Sequence, residues 1–142
     1  LQAACSEGDE QVVKMLLDEG ANVNAQGGPF GNALQAASAE GRVQVVEMLL
    51  KGANTNAKGG MYSNALYAAS EEGHEQVVKM LLDKGADANA QGGECGNALR
   101  VASARGLEPI VKMLLDAGAE INTQGGRVAV GTSPVEPSSS PL

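Results

Sequence analysis

The feature that most restricts how this 142-residue chain can fold is its repetition. The blocks NALQAAS (32–38), NALYAAS (64–70) and NALRVAS (97–103) are near copies, and LQAACS opens the chain in the same phase. Leu1, Leu34, Leu66 and Leu99 are therefore equivalent, at spacings of 33, 32 and 33 residues. A second block follows each time, as QVVKMLLDEGAN, QVVEMLLKGAN, QVVKMLLDKGAD and PIVKMLLDAGAE. The shorter spacing has one source: Leu50-Lys51-Gly52 has one residue where Leu17-Asp18-Glu19-Gly20 has two. Repetition at this period marks a solenoid, whose units cannot bury their own apolar faces and are stable only when roughly three or more stack. Four copies, the first incomplete, meet that requirement.

Within a unit, Asn32 precedes the apolar run Ala33, Leu34, Ala36 and Ala37, so its side chain can accept from an orphan helix N–H. Gln35, three residues on, predicts an Asn version of a capping box. The first helix should stop at Gly41, as its counterparts stop at Gly8, Gly73 and Gly106. Val45, Val46, Leu49 and Leu50 then form one apolar stripe opposite Gln44, Glu47 and Lys51. That second helix is expected to end at Gly52, equivalent to Gly20, Gly85 and Gly118. Helices over 33–40 and 43–50, recurring in each unit, and polar Gly-containing loops such as 24–31 define an all-α stack with hairpin-like projections. Hydrophobic residues make up 43% of the chain, yet there is no Trp, one Phe and two Tyr. The core must then be packed from small aliphatic side chains.

These units resemble ankyrin repeats. The family's T-P-L-H-x-A stands here as Asn-Ala-Leu-Gln-Ala-Ala, followed by G-[HR]-x-x-V-V-x-x-L-L-x-x-G-A-x-x-N, over residues 1–126. Asn-Ala replaces Thr-Pro, the family His is Gln35, Tyr67 or Arg100, and Gly27-Gly28 occupies the loop usually marked by Asp and Gly. The N-A-L-x-A-A-S flavour resembles arrays found behind nucleotide-binding NACHT modules in large fungal proteins. The resemblance implies a protein-interaction scaffold, or alternatively a repeat segment regulating a larger NTPase-type chain, or a repeat fragment with no selected partner. It implies binding on the concave face formed by loops and the outer residues of each first helix. Mapped residue by residue, that face holds Phe30, Gln35 and Glu40, then Met61, Tyr62, Tyr67, Glu71 and Glu72, then Cys95, Arg100 and Arg105. All three aromatic residues fall in this set, and aromatics and Arg anchor interfaces. Packing of each loop on its neighbour would also favour an aromatic at Phe30 and Tyr62, though binding is the reading preferred.

Catalytic and metal chemistry find little support. His74 is the sole His and lies where ankyrin units often carry one for structural reasons, whereas zinc needs several converging ligands. Glu71 and Glu72 are adjacent on a helix end and do not face each other. The Gly-Gly loops lack a following GK[ST], so they read as turns rather than phosphate cradles. No enzyme activity, cofactor or small-molecule substrate is expected. A net charge of −7 disfavours nucleic acid, and no apolar run is long enough to span a membrane. Cys5 and Cys95, three units apart and outside any CxxC pair, are expected to remain free thiols in a reducing, intracellular and cytoplasmic setting.

The organisation expected is an ankyrin-repeat domain over 1–126 and a disordered Pro/Ser-rich tail over 127–142, with Ser133-Pro134 and Ser140-Pro141 open to phosphorylation. The first unit begins inside its first helix and should present an apolar face without a polar cap.

Overall fold

Asn before the apolar run and Gly after it delimit the first helix of the second, third and fourth units, and the observed elements follow that punctuation. The structure, a computed structural model, describes residues 1–121. Its helices are α1 (Gln2–Glu7), α2 (Glu10–Asp18), α3 (Ala33–Ala39), α4 (Val43–Leu49), α5 (Ala65–Glu72), α6 (Glu75–Asp83), α7 (Ala98–Ala104) and α8 (Glu108–Asp116). Residues 122–126, the expected tail and its two Ser-Pro pairs lie outside the described residues.

The first helices, α1, α3, α5 and α7, stack as one layer, and the second helices, α2, α4, α6 and α8, as the other. Ala36, Ala37, Ala68, Ala69 and Ala102 are buried in the first layer, and Val45, Val46, Leu49, Val77, Val78, Leu81, Ile110 and Leu114 in the second. Helices of six to nine residues are too short to persist alone. Burying a Val or Leu contributes roughly 1.5–3 kcal/mol, so stacking is what holds them.

The expected caps form: Asn32, Asn64 and Asn97 accept at Oδ1 from the N–H of Gln35, Tyr67 and Arg100, at 2.8, 2.7 and 2.9 Å. The reciprocal half of the capping box does not. The Gln35 amide turns away from its own helix start and donates to the carbonyls of Ala57 and Ser63 in the next unit, the second of which also accepts from Gly59 N at 2.9 Å.

A second set of Asn residues stitches successive units together. Asn24 Nδ2 donates to Gly52 O (3.3 Å) while its Oδ1 accepts from Asn54 N (2.6 Å). Asn56 does the same to Gly85 and Asp87, and Asn89 to Gly118 and Glu120. Arg42 and His74 reach backwards instead. Arg42 Nε donates to Ser6 O at 2.8 Å, and His74 Nε2 lies 2.9 Å from Ala39 O. Because a carbonyl only accepts, Nε2 carries the proton, and His74 is a structural link between units.

One sequence expectation needs correction. Gly20, Gly85 and Gly118 sit in the left-handed region (φ 92, 91 and 96°), closed by bonds from Ala21 N to Leu16 O, Ala86 N to Leu81 O and Ala119 N to Leu114 O. Gly52 is not left-handed, and α4 ends at Leu49. The missing residue shortens the turn, so that Ala53 N bonds one residue nearer, to Leu49 O at 2.8 Å, and no reversal of φ is required.

Gly52→Ala should therefore be neutral or mildly stabilising, because its added Cβ meets only Val23 Cγ1 at 3.6 Å. Gly85→Ala should lose about 1–2 kcal/mol for placing a side chain at positive φ. Urea unfolding of the two variants checks this, and equal losses would contradict the turn assignment. Leu81→Ala, at a fully buried position, should cost about 2–5 kcal/mol for the cavity left between α6 and its neighbours.

Candidate protein-binding surface

Each loop returns over the start of the preceding unit's first helix, so that helix's third residue decides what lies beneath the loop. At this position Gln35 and Tyr67 are buried, which overturns their expected place on an open binding face. Gln35 Nε2 holds the 57–63 backbone, as described above. Tyr67 lies under the next loop, where its hydroxyl accepts from Cys95 N at 3.0 Å. A Cβ on Gly93 would overlap Tyr67 at its Cε1, Cζ and hydroxyl, so the loop backbone rests directly against the phenol end of that side chain. Burial pushes the Tyr67 phenol up to about 12, keeping it neutral and able to hydrogen-bond. Arg100, the third member of the series, is half-buried. The usable sequence signal was positional: the third residue of a short helix sits where the following loop must close.

Tyr67 also corrects the expectation of a purely aliphatic core, since it is among the largest fully buried side chains.

The other two aromatics behave differently. Phe30 and Tyr62 occupy equivalent places in adjacent loops, with ring centroids 6.4 Å apart and planes 12° from parallel. Both are half-buried, so the stack joins loop to loop while leaving ring area open. The backbone enforces this spacing through Met61 N donating to Pro29 O at 2.8 Å. Met61 beside the stack is 60% exposed.

Tyr62 donates its hydroxyl to Glu72 Oε2 at 2.7 Å. Burial raises its phenol first, and the bond to Glu72 and the negative charges of Glu72, Glu71 and Glu40 add to the shift. Glu71, half-buried, is also raised, by desolvation and by Glu72 and Glu94, against the opposing pull of Arg105. Glu40, Glu72, Glu94 and Arg105 are exposed. The structure thus brings together Phe30, Met61, Tyr62, Glu71 and Glu72, with Glu40 on one side and Arg105 on the other.

Cys95 is partly buried and free. Cys5 is fully buried, and burial raises its thiol to about 11, leaving it an unreactive core residue. Among the described residues no group of three or more His, Cys, Asp or Glu is placed to hold a metal ion, and no helix is long and apolar enough to cross a membrane.

Comparison with known proteins gives one finding. A family profile described as ankyrin repeats (3 copies) matches residues 1–59 and 60–125. A search of curated proteins finds no match.

Tyr67→Phe should lose about 0.5–1.5 kcal/mol, the worth of one hydrogen bond, with the ring still packed. Gly93→Ala should lose more, because ring and loop cannot both stay in place. Thermal unfolding of both variants tests this, and a Gly93→Ala protein as stable as the parent would overturn the placement of Tyr67 under the loop.

Proposed function

The chain belongs to the ankyrin-repeat family, and from that premise we propose that it is a scaffold taking a protein partner on the face built by its loops and first helices. Ankyrin repeats are in general protein–protein interaction modules, typically non-catalytic ones. The observation that carries the finer reading is the Phe30–Tyr62 stack with exposed Met61 beside it. Rigid, half-open aromatic area next to an exposed Met offers apolar contact with little side-chain freedom left to lose. Gln35 contributes from below by holding the 57–63 backbone that carries Tyr62, while Tyr67 holds the neighbouring loop at Cys95.

Charge gives the face direction. Glu40, Glu71 and Glu72 lie toward its middle and Arg105 toward the last unit, so a partner with basic groups opposite the Glu residues and an acidic group opposite Arg105 would be steered into one orientation. The reading requires neither cofactor nor small-molecule substrate. The net charge of −7 supports a protein rather than a nucleic acid as partner. The two free thiols support a reducing, cytoplasmic setting.

The test begins by capturing a partner and measuring its affinity for variants. Met61→Ala with Tyr62→Ala should weaken binding by about 1–2 kcal/mol or more, the size expected of interface anchors, with the helices still folded and only a modest drop in melting temperature from the lost Phe30 stack and Glu72 bond. Lys79→Ala with Asp83→Ala, at the exposed ion pair on α6, should leave affinity unchanged. Equal losses from both pairs would refute the assignment of this face.

A further inference from the structure

The loop tips form a series along the stack. Pro29, Met61 and Glu94 occupy one equivalent place, and Phe30, Tyr62 and Cys95 the next. The aromatic stack runs from Phe30 to Tyr62 and stops there, because the third place holds a thiol instead of a ring. The 90–96 loop is also tied differently from the one before it. Met61 N donates to Pro29 O, but the corresponding bond from Glu94 N to Met61 O does not form. Instead Gly93 N donates to Ser63 Oγ at 3.4 Å and Cys95 N to the Tyr67 hydroxyl at 3.0 Å. Gly92 is buried, where a Cβ would press on Asn64 and the Tyr62 carbonyl. The loop is thus drawn onto the helices, and Tyr62 keeps open ring area where the series would put a third aromatic. Met61 beside it belongs to a unit with described repeats on both sides, so its 60% exposure is no end effect.

Glu40, Glu71, Glu72 and Glu94, from three successive units, gather around this place. After burial and the Glu72 bond, the charges of Glu72, Glu71 and Glu40 all act on the Tyr62 phenol. Desolvation, then the charges of Glu72 and Glu94, hold the Glu71 carboxyl above its ordinary range, and Arg105 eases this only from beyond ion-pair distance. The ion pairs among the described residues join Lys to Asp within α2, α6 and α8, and none includes these four Glu residues. Like charges held together without a counter-charge favour the arrival of a cation. The ring supplies a second attraction, because an aromatic face draws a cation over it. By donating its hydroxyl to Glu72, Tyr62 leaves that ring richer in electrons.

We propose that the place beside Tyr62 is an arginine-binding site: a guanidinium from the protein partner continues the Phe30–Tyr62 stack, its N–H groups toward Glu71 and Glu94 and its aliphatic stem along Met61. The inference rests on the loop face proposed above and names the chemistry which that face recognises. Arginine fits where lysine does not, since a planar guanidinium can lie on a ring and still donate from its edge to carboxylates, whereas an ammonium is a compact, strongly hydrated point charge.

The test titrates the full chain, followed by NMR, with a short capped Gly/Ser peptide carrying one central arginine. Saturable shifts should appear at the Tyr62 ring and the Met61 methyl. Replacing the peptide's arginine by citrulline, which keeps the planar shape without the charge, should weaken binding by about tenfold or more, and replacing it by lysine by about threefold or more. Glu71→Gln should weaken it as well, while Tyr62→Phe keeps most of the affinity because the ring remains. Cys95→Phe should abolish binding by placing a third ring in the stack, and Tyr62→Leu gives the same reading should Cys95→Phe fail to fold. A citrulline peptide that binds equally well, shifts confined to other surfaces, or no shift at all overturns the proposal. An Arg127→Ala chain that binds the peptide about tenfold more tightly than the parent assigns the place to the chain's own arginine and overturns it too. A captured partner that loses affinity with Met61→Ala and Tyr62→Ala, while the arginine peptide fails to bind, sinks the arginine site and leaves the loop face standing.

Discussion

Apolar packing between successive units is the interaction on which everything else in this structure depends. A helix pair of this length buries one side only against its neighbour, and the Ala-lined first helices allow the approach to be close. Ala36 and Ala37, like Ala68 and Ala69, leave no side-chain bulk between α3, α5 and α7. The same positions filled by Leu would push the layers apart and lengthen every bond that spans a junction.

Close approach in turn makes the polar stitching possible. Asn24, Asn56 and Asn89 each join two backbone groups of the following unit, and they can do so because the helices set consecutive turns at a constant separation. The one-residue deletion before Gly52 tests this arrangement within the molecule itself. The turn there adopts a different closure, yet Asn24 still finds Gly52 O and Asn54 N. Register is thus held by packing, and the turn adapts to it.

The loop face follows from the same order of causes. Gln35 and Tyr67 anchor loops from below with unlike chemistry, one through an amide and one through a ring and hydroxyl. The Phe30–Tyr62 stack rides on loops already fixed, so its open area is held in place before any partner arrives. Surface character can therefore change from unit to unit while the scaffold beneath stays the same, which is how Glu72 and Arg105 come to occupy equivalent positions.

The sequence by itself determined the period, the Asn caps, the Gly stops of the first helices and the Val and Leu stripes. These depend on residues within about four positions of one another, where helix geometry alone relates them. Helix boundaries, at Ala33–Ala39 and Val43–Leu49, differ from the expected ones by a single residue for that reason. The fate of Gln35 and Tyr67 was decided only by tertiary structure. Position three of a helix looks outward when the unit is considered alone, and becomes interior once a loop from about 28 residues further along folds over it. Gly52 is a similar case, since the same residue type at the same place needs a left-handed backbone or not according to the length of its turn.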